Sequence, residues 1–335
     1  MRLAHLLGHV AVVGALIIGS GAGDSVLAAD KKIIRINHAG ADDIVGTEHQ
    51  LYAWTFANYL GQKSPTLEVK IFPNSGLGQS RQVIEAMQLG SGATIHIGGM
   101  AEFANFCQAK CGVIGLPFIF KGYDHVGRVL DGPVGAALSA EMEKSGFKVI
   151  SYLYSWGYRN VTTSKKEVKT VADLKGLKIR TIPTPVFVGA VNAMGASATP
   201  MNFGEVYTSM QSGVLDGFEH TASTTLSFKF HEIAKYIALT QHLIDPSVVA
   251  FSLPEWNKLD AKEQAVVMEA AKLASDVARA MASVREAESM AKLKQLGMTI
   301  TQPDMSEARV KAAEVQKEMA VKLKAEDLLQ QILSQ

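Results

Sequence analysis

Hydrophobic and polar positions fall along this chain in two rhythms, a period of two and a period near 3.6. Ile33–Asn37 reads as a short strand, and the alternation in Leu67–Phe72 reads as a second. Between them, over about residues 46–63, Leu51, Trp54, Phe56 and Leu60 recur on one helical face. Pro73-Asn-Ser-Gly-Leu-Gly78 is turn chemistry. Helix Ser80–Leu89, strand Ala93–Ile97 and a helical Met100–Asn105 follow. After the loop Leu116–Phe120 come two more helices and strand Phe147–Trp156. Strands separated by single helices predict an α/β sandwich with parallel pairing.

A second α/β pattern begins with strands Arg159–Thr163 and Leu177–Thr181. Thr184 is an N-cap with Pro185 at the first helical position, and that helix stops near Gly195. Helix Gly204–Ser212 ends at Gly213, and Val214–Phe218 returns as a strand. No low-complexity linker divides the halves, so the chain crosses between lobes on strands and not on a flexible tether. One element is out of scale. Asp260-Ala-Lys-Glu263 is a capping signature, and from there to Gly297 the sequence holds neither Pro nor Gly. That predicts about 36 helical residues, roughly 54 Å at 1.5 Å per residue. Its apolar positions keep no strict heptad, which points to a brace along a larger body and not to coiled-coil pairing. Strand Met298–Gln302 follows, and Ser306–Leu333 forms one or two amphipathic helices.

Composition sharpens this outline. A chain of 335 residues, 47% hydrophobic and 19% charged, holds full cores for two α/β domains. Its 33 Lys+Arg against 32 Asp+Glu leave a net charge of +1 without a long basic run, which excludes a nucleic-acid face. Arg2, the apolar stretch Val10–Ile18 and the small-residue step Val26-Leu-Ala-Ala29 form a secretory signal peptide, cleaved after Ala28 or Ala29. The apolar run is shorter than the about 20 residues of a membrane span. An exported, soluble mature protein is expected. Cys107 and Cys111 are spaced for either a short disulfide or two partly buried thiols.

Catalytic signatures are missing. His231-Glu-Ile-Ala-Lys235 begins like a zinc-protease helix, but Lys235 stands where the second imidazole ligand belongs. There is no G-x-S-x-G elbow, no Walker A sequence and no G-x-G-x-x-G after a strand. No enzyme activity, cofactor or metal is expected.

Four stretches carry a resemblance: Asp173-Leu-Lys-Gly-Leu-Lys-Ile-Arg180, Val188–Met201, Phe203-Gly-Glu-Val-Tyr207 and Gly213-Val-Leu-Asp-Gly-Phe-Glu219. Pro73–Gly78, Leu116-Pro-Phe118, Leu130-Asp-Gly-Pro133 and Gly157-Tyr-Arg159 agree in order. Together they resemble the solute receptors of TRAP (tripartite ATP-independent periplasmic) transporters, in the branch that receives dicarboxylates, sialic acid and sugar acids. The resemblance covers essentially the whole mature chain. It implies a two-lobed α/β periplasmic binding protein with the long helix spanning both lobes, closing on a small organic acid and delivering it to a membrane permease. By the family's crossings, lobe I is residues 30–156 plus 245–284, and lobe II is 157–244 plus 285–335.

The resemblance also carries a site. Arg180, at a strand end, is implied as the main carboxylate clamp, because a planar guanidinium grips both oxygens as Lys cannot. Arg159 is implied as a second cationic contact. Phe203 corresponds to an aromatic wall, although core packing explains a Phe equally well. His220 and His38 stand where relatives carry Asn; imidazole is bulkier there and able to carry charge near pH 6.5, and the sequence leaves the protonation of both open. Gly98, Gly99, Gln79 and Ser80 replace charged or acidic positions of the sialic-acid receptors, which argues against sialic acid. Pro183 and Trp156 belong with the lining set, Trp156 equally with hinge packing. Glu219 and Asp216 are expected to orient Arg180 and its loop. The expected ligand is a sugar acid (uronate or aldonate) or a C4-type dicarboxylate, received by a monomer. The rival readings are a periplasmic enzyme acting on such acids, and a ligand sensor.

Overall fold

The computed structural model describes residues 31–335, apart from residues 108 and 155 and the side chain at 109. The expected signal peptide lies outside the described residues. Eleven described strands form two sheets. In chain order they are β1 (Lys32–His38), β2 (Leu67–Phe72), β3 (Ile95–Gly99), β4 (Phe147–Leu153), β5 (Tyr158–Thr163), β6 (Lys178–Thr181), β7 (Ser197–Pro200), β8 (Gly217–His220), β9 (Tyr236–Ile244), β10 (Ser247–Ser252) and β11 (Thr299–Thr301). The first sheet has the order β2-β1-β3-β10-β4 and the second β11-β9-β5-β8-β6-β7.

The period-two pattern explains how each sheet is covered on both faces. In β10, Val249 and Phe251 pack with Ile34, Ile36, Tyr52 and Phe56. Val248 and Ala250 of the same strand pack with Met87, Phe103, Leu138 and Phe147 on the other side. All six residues of β10 are buried, as a strand covered on both faces requires. In the second sheet Ile237 and Ala238 likewise point to different cores.

Pairing is mixed, which corrects the parallel expectation. β1 pairs in parallel with β2 and β3, but β10 enters antiparallel between β3 and β4. In the second sheet β5 is antiparallel to both β8 and β9. The reason is connectivity. β4 leads into β5, and β9 into β10, so each of these pairs leaves one sheet and enters the other. Three strands are missing from the sequence reading: β7, and β9 and β10, which make the second of these crossings. The strand expected over 214–218 is shifted to Gly217–His220, which brings Glu219 and His220 into the sheet.

The long helix is two segments, Ala261–Ala280 and Ala282–Gln295, separated at Met281 with φ −87° and ψ −1°. Propensity alone did not reveal this interruption, since Met is a good helix former. The first segment packs on helix Glu48–Lys63 and β4; the second packs on helix Ala222–Ser227 of the other lobe. The brace therefore spans both lobes, with one break. The last helix, Glu326–Ser334, buries Leu328, Leu329 and Ile332 in the core of the first sheet. Cys107 and Cys111 are joined by a disulfide, with Cα atoms 6.1 Å apart.

The expected capping box at the start of the brace is complete. Asp260 Oδ1 accepts from the backbone N–H of Lys262 and Glu263 at 2.8 and 2.9 Å, and Glu263 Oε2 accepts from Asp260 N at 2.9 Å. We expect Asp260→Ala to lower unfolding free energy by about 1 kcal/mol in urea titrations, with the denaturant slope unchanged.

Candidate ligand-binding site

The crossings place a cleft between the sheets. Its larger part, about 450 Å³, is lined by Gln79, Ser80, Glu102 and Asn105 from the first lobe and by Arg180, Pro183, Met201 and Phe203 from the second. A second hollow of about 30 Å³, the space of one water, shares Ala39, Glu102, Arg180, Ile182 and Phe203 with it. This smaller hollow adds Trp156, Arg159, His220 and Asp245.

Arg180 lies near the end of β6, between β7 and β8, with Thr199 and Phe218 as its register partners. Parallel strands deliver ligand contacts at such ends. The residue is only 3% exposed. Its Nε and Nη2 both donate to the Met201 carbonyl, at 2.9 and 2.8 Å, and the guanidinium lies 5.6 Å from the centre of the Phe203 ring. Among the described residues no carboxylate lies within 4.0 Å of it. Burial pulls its pKa down to about 10; Glu219 offsets this in part, and Arg159 adds to it.

Arg159 is occupied differently. Its Nε donates to Glu219 Oε2 at 2.5 Å, and its Nη2 to Glu219 Oε1 at 2.9 Å and to the Glu219 carbonyl at 3.1 Å. Glu219 also accepts from Thr181 Oγ1 at 2.8 Å, and His242 Nε2 stands 3.5 Å from its Oε2. Burial alone would raise the Glu219 pKa, but Arg159 and His242 outweigh it and hold the carboxylate below its ordinary range. Glu219 thus orients Arg159, not Arg180 as the sequence reading had it. Asp216 accepts from the backbone N–H of Lys178 at 2.9 Å and so fixes the start of β6.

Burial favours the neutral imidazole at His38 and His220, a question the sequence left open. Burial lowers the pKa of His220 far below its ordinary value, with Arg159 adding to the effect. Its Nδ1 accepts the Thr221 N–H at 2.9 Å, so the neutral ring carries its proton on Nε2. The ring faces Trp156 at 4.8 Å and Phe203 at 5.5 Å. Burial also takes His38 down to about 4, against the opposing pull of Gln50. His38 Nε2 meets Gln50 Oε1 at 2.8 Å, behind the cleft wall that Ala39 and Gly40 provide.

Most of the expected set is therefore brought together: Arg180, Arg159, His220, Phe203, Trp156, Pro183, Gln79 and Ser80. His38, Glu219, Gly98 and Gly99 support it from behind. A Cβ on Gly98 would run into Glu102 and His96, and one on Gly99 into Asp245. These glycines let two carboxylates approach the backbone, which is a different use from leaving space for ligand.

Those two carboxylates, Glu102 and Asp245, were not singled out from sequence. Asp245 sits in the Asp245-Pro246 step between β9 and β10, where a turn between two apolar runs marks the crossing. Burial raises its pKa to about 7, although Arg159 Nη1 lies 3.7 Å away.

Comparison with known proteins agrees with this architecture. Residues 45–323 match the model of a family described as bacterial extracellular solute-binding protein, family 7. The chain belongs to this family. It is 33% identical over 234 residues, 70% of each chain, to the 2,3-diketo-L-gulonate-binding periplasmic protein YiaO of Escherichia coli (strain K12). A TRAP periplasmic solute-binding protein from Sulfitobacter sp. NAS-14.1, solved with β-D-galacturonate, superposes with a TM-score of 0.85 at 28% identity, covering 91% of this chain and 100% of that one. The sugar acid binding protein DctPAm from Advenella mimigardefordensis, solved with galactonate, gives a TM-score of 0.86 at 28% identity, with 91% and 97% covered. This is a TRAP solute-binding protein, of a periplasmic family that receives small acids and works with membrane permease subunits.

The pKa of Asp245 fixes the sign of a stability test. Its folded value of about 7 lies above the ordinary 3.8, so between those values the folded state keeps a proton that the unfolded chain has lost. Stability therefore falls as pH rises from about 4 to about 7. Asp245→Asn removes this loss. In denaturant titrations we expect the variant to gain stability over the parent, on the order of a few kcal/mol at pH 8 and little near pH 4.

Proposed function

We propose that this receptor holds a sugar acid, a uronate or aldonate, with the ligand carboxylate on Arg180. The observation that carries this reading is a buried guanidinium on the cleft wall that bonds to a carbonyl but has no anion beside it. A charge removed from water without a counter-ion is costly, and a ligand carboxylate relieves that cost with planar, two-pronged hydrogen bonds. Arg159, already matched by Glu219, contributes to the wall without supplying a second free cation. His220 offers an Nε2–H to a hydroxyl, and Phe203 and Trp156 offer apolar faces to the carbon chain. The acids named for YiaO, the Sulfitobacter protein and DctPAm are of this class and support the reading.

The ligand leaves unchanged, passed to the permease by a monomer whose lobes rotate about the crossings after β4, after β9 and at Met281. The leader is removed near Ala28 or Ala29 during export. Incubation of the protein with its ligand, followed by mass spectrometry, is expected to return the acid intact. A product would favour the enzyme reading.

Isothermal titration with galacturonate, galactonate, 2,3-diketogulonate and succinate tests the ligand class. Arg180→Lys is expected to weaken binding of the preferred acid by about 100-fold, well beyond the loss of a surface ion pair. Equal affinity in that variant, or binding of a neutral sugar in place of any acid, overturns the assignment.

A further inference from the structure

The charged groups around the cleft do not balance as a site for two carboxylates would. Among the described residues three arginines reach the wall: Arg159 is matched by Glu219 through both carboxylate oxygens, exposed Arg81 is paired with Glu85, and Arg180 has no carboxylate within 4.0 Å. Three further carboxylates stand on the wall itself: Glu205, which accepts from Asn202 Nδ2 at 3.0 Å, Glu102 and Asp245. Glu102 lines both parts of the cleft, with Oε2 3.3 Å from His96 Nε2. Asp245 lines the inner hollow together with Arg180 and is buried, yet neither of its oxygens completes a hydrogen bond among the described residues. Arg159 Nη1, 3.7 Å away, and the Ala101 backbone N–H favour its charged form, but burial outweighs both. Gly99 presses against it, so the carboxylate has little room to turn away.

A buried acceptor without a donor is costly unless something supplies one. A ligand hydroxyl does so. A second ligand carboxylate does the opposite: it brings a like charge to Asp245 and Glu102 and finds no unmatched cation. Building repulsion against the wrong ligand is as effective a source of selectivity as attraction to the right one.

We propose that Asp245, assisted by Glu102, is a specificity-determining residue that accepts ligand hydroxyls and excludes a second carboxylate, so that the receptor selects polyhydroxy monocarboxylates over the corresponding diacids. The inference rests on the reading of Arg180 as the carboxylate clamp, and it decides against the C4-dicarboxylate alternative. It assigns separate roles to the two ends of the ligand: charge is read by Arg180, hydroxyl chemistry by Asp245.

Galactarate is the test compound, because it differs from galactonate only at C6, where CH2OH is oxidised to a carboxylate; galacturonate, whose C1 closes a pyranose ring, serves as a second monoacid. Isothermal titration at pH 8, above the raised pKa of Asp245, compares the three acids on the parent protein, Asp245→Asn and Glu102→Gln. The parent is expected to prefer at least one monoacid over galactarate by about 100-fold or more, the discrimination available to a site built around a hydroxyl contact. Asp245→Asn, whose amide tolerates a carboxylate, is expected to narrow that preference to less than about 10-fold, with a smaller effect from Glu102→Gln. Thermal melts establish that each variant is folded. Similar affinity of the parent for mono- and diacid, or an unchanged preference in folded Asp245→Asn, overturns this inference alone. If no organic acid binds, or if Arg180→Lys leaves affinity unchanged, the clamp reading fails, and the inference built on it fails too.

Discussion

Arg159 and Glu219 meet in the interior through hydrogen bonds of 2.5 and 2.9 Å, and this mutual neutralisation sets the electrostatics of everything near the cleft. Removing either partner would leave a bare charge out of water, which typically costs about 3–5 kcal/mol. The pair joins β5 to β8, and through Thr181 it reaches the end of β6, the strand that carries Arg180. It also explains why Asp245 behaves as a weak acid despite an arginine nearby. The positive field of Arg159 is already matched, so burial dominates at Asp245. The two arginines are chemically identical and yet serve differently, because only one of them faces a carboxylate of its own.

This arrangement keeps unfavourable electrostatics in the unliganded protein. Arg180 is buried with a neutral carbonyl for company, and Asp245 is buried without a donor. The proposed ligand would repair both deficits, which would make binding and stability two views of one free energy. A protein stabilised by complete internal pairing at these positions would gain rigidity and lose its reason to bind. Met201 illustrates the compromise: its carbonyl orients Arg180 firmly while leaving the charge itself unmatched.

Much of this was readable from residue patterns alone, and the exceptions share a cause. Local signals held well: the Asp260 capping box and the Thr184 cap with Pro185 appear as expected. Arg180 was singled out by the motif that carries the family resemblance, and it lies on the cleft wall. The misreadings concern partners distant in sequence. Glu219 pairs with Arg159 across 60 positions, and no local spacing distinguishes that choice from Arg180. Asp245 faces the cleft only because β9 and β10 belong to different sheets, and neither strand was read from the sequence. The charge state of His38 and His220 follows from burial, which no single-residue reasoning supplies.

The one-residue break in the brace has a mechanical meaning. An uninterrupted helix of that length behaves as a stiff rod and would resist any change of angle between the bodies it is fastened to. At Met281 the helix is interrupted by a single turn residue with φ −87° and ψ −1°, so a change of angle there would be taken up by few torsions while both rods stay intact. Close to the joint, Arg285 Nε on the second rod donates to the Val45 carbonyl of the first lobe at 3.0 Å. Rotation that carries the second rod away must stretch that bond. Under the hinge motion proposed above, the joint would carry a tether on one side, in a contact outside the lining of the cleft.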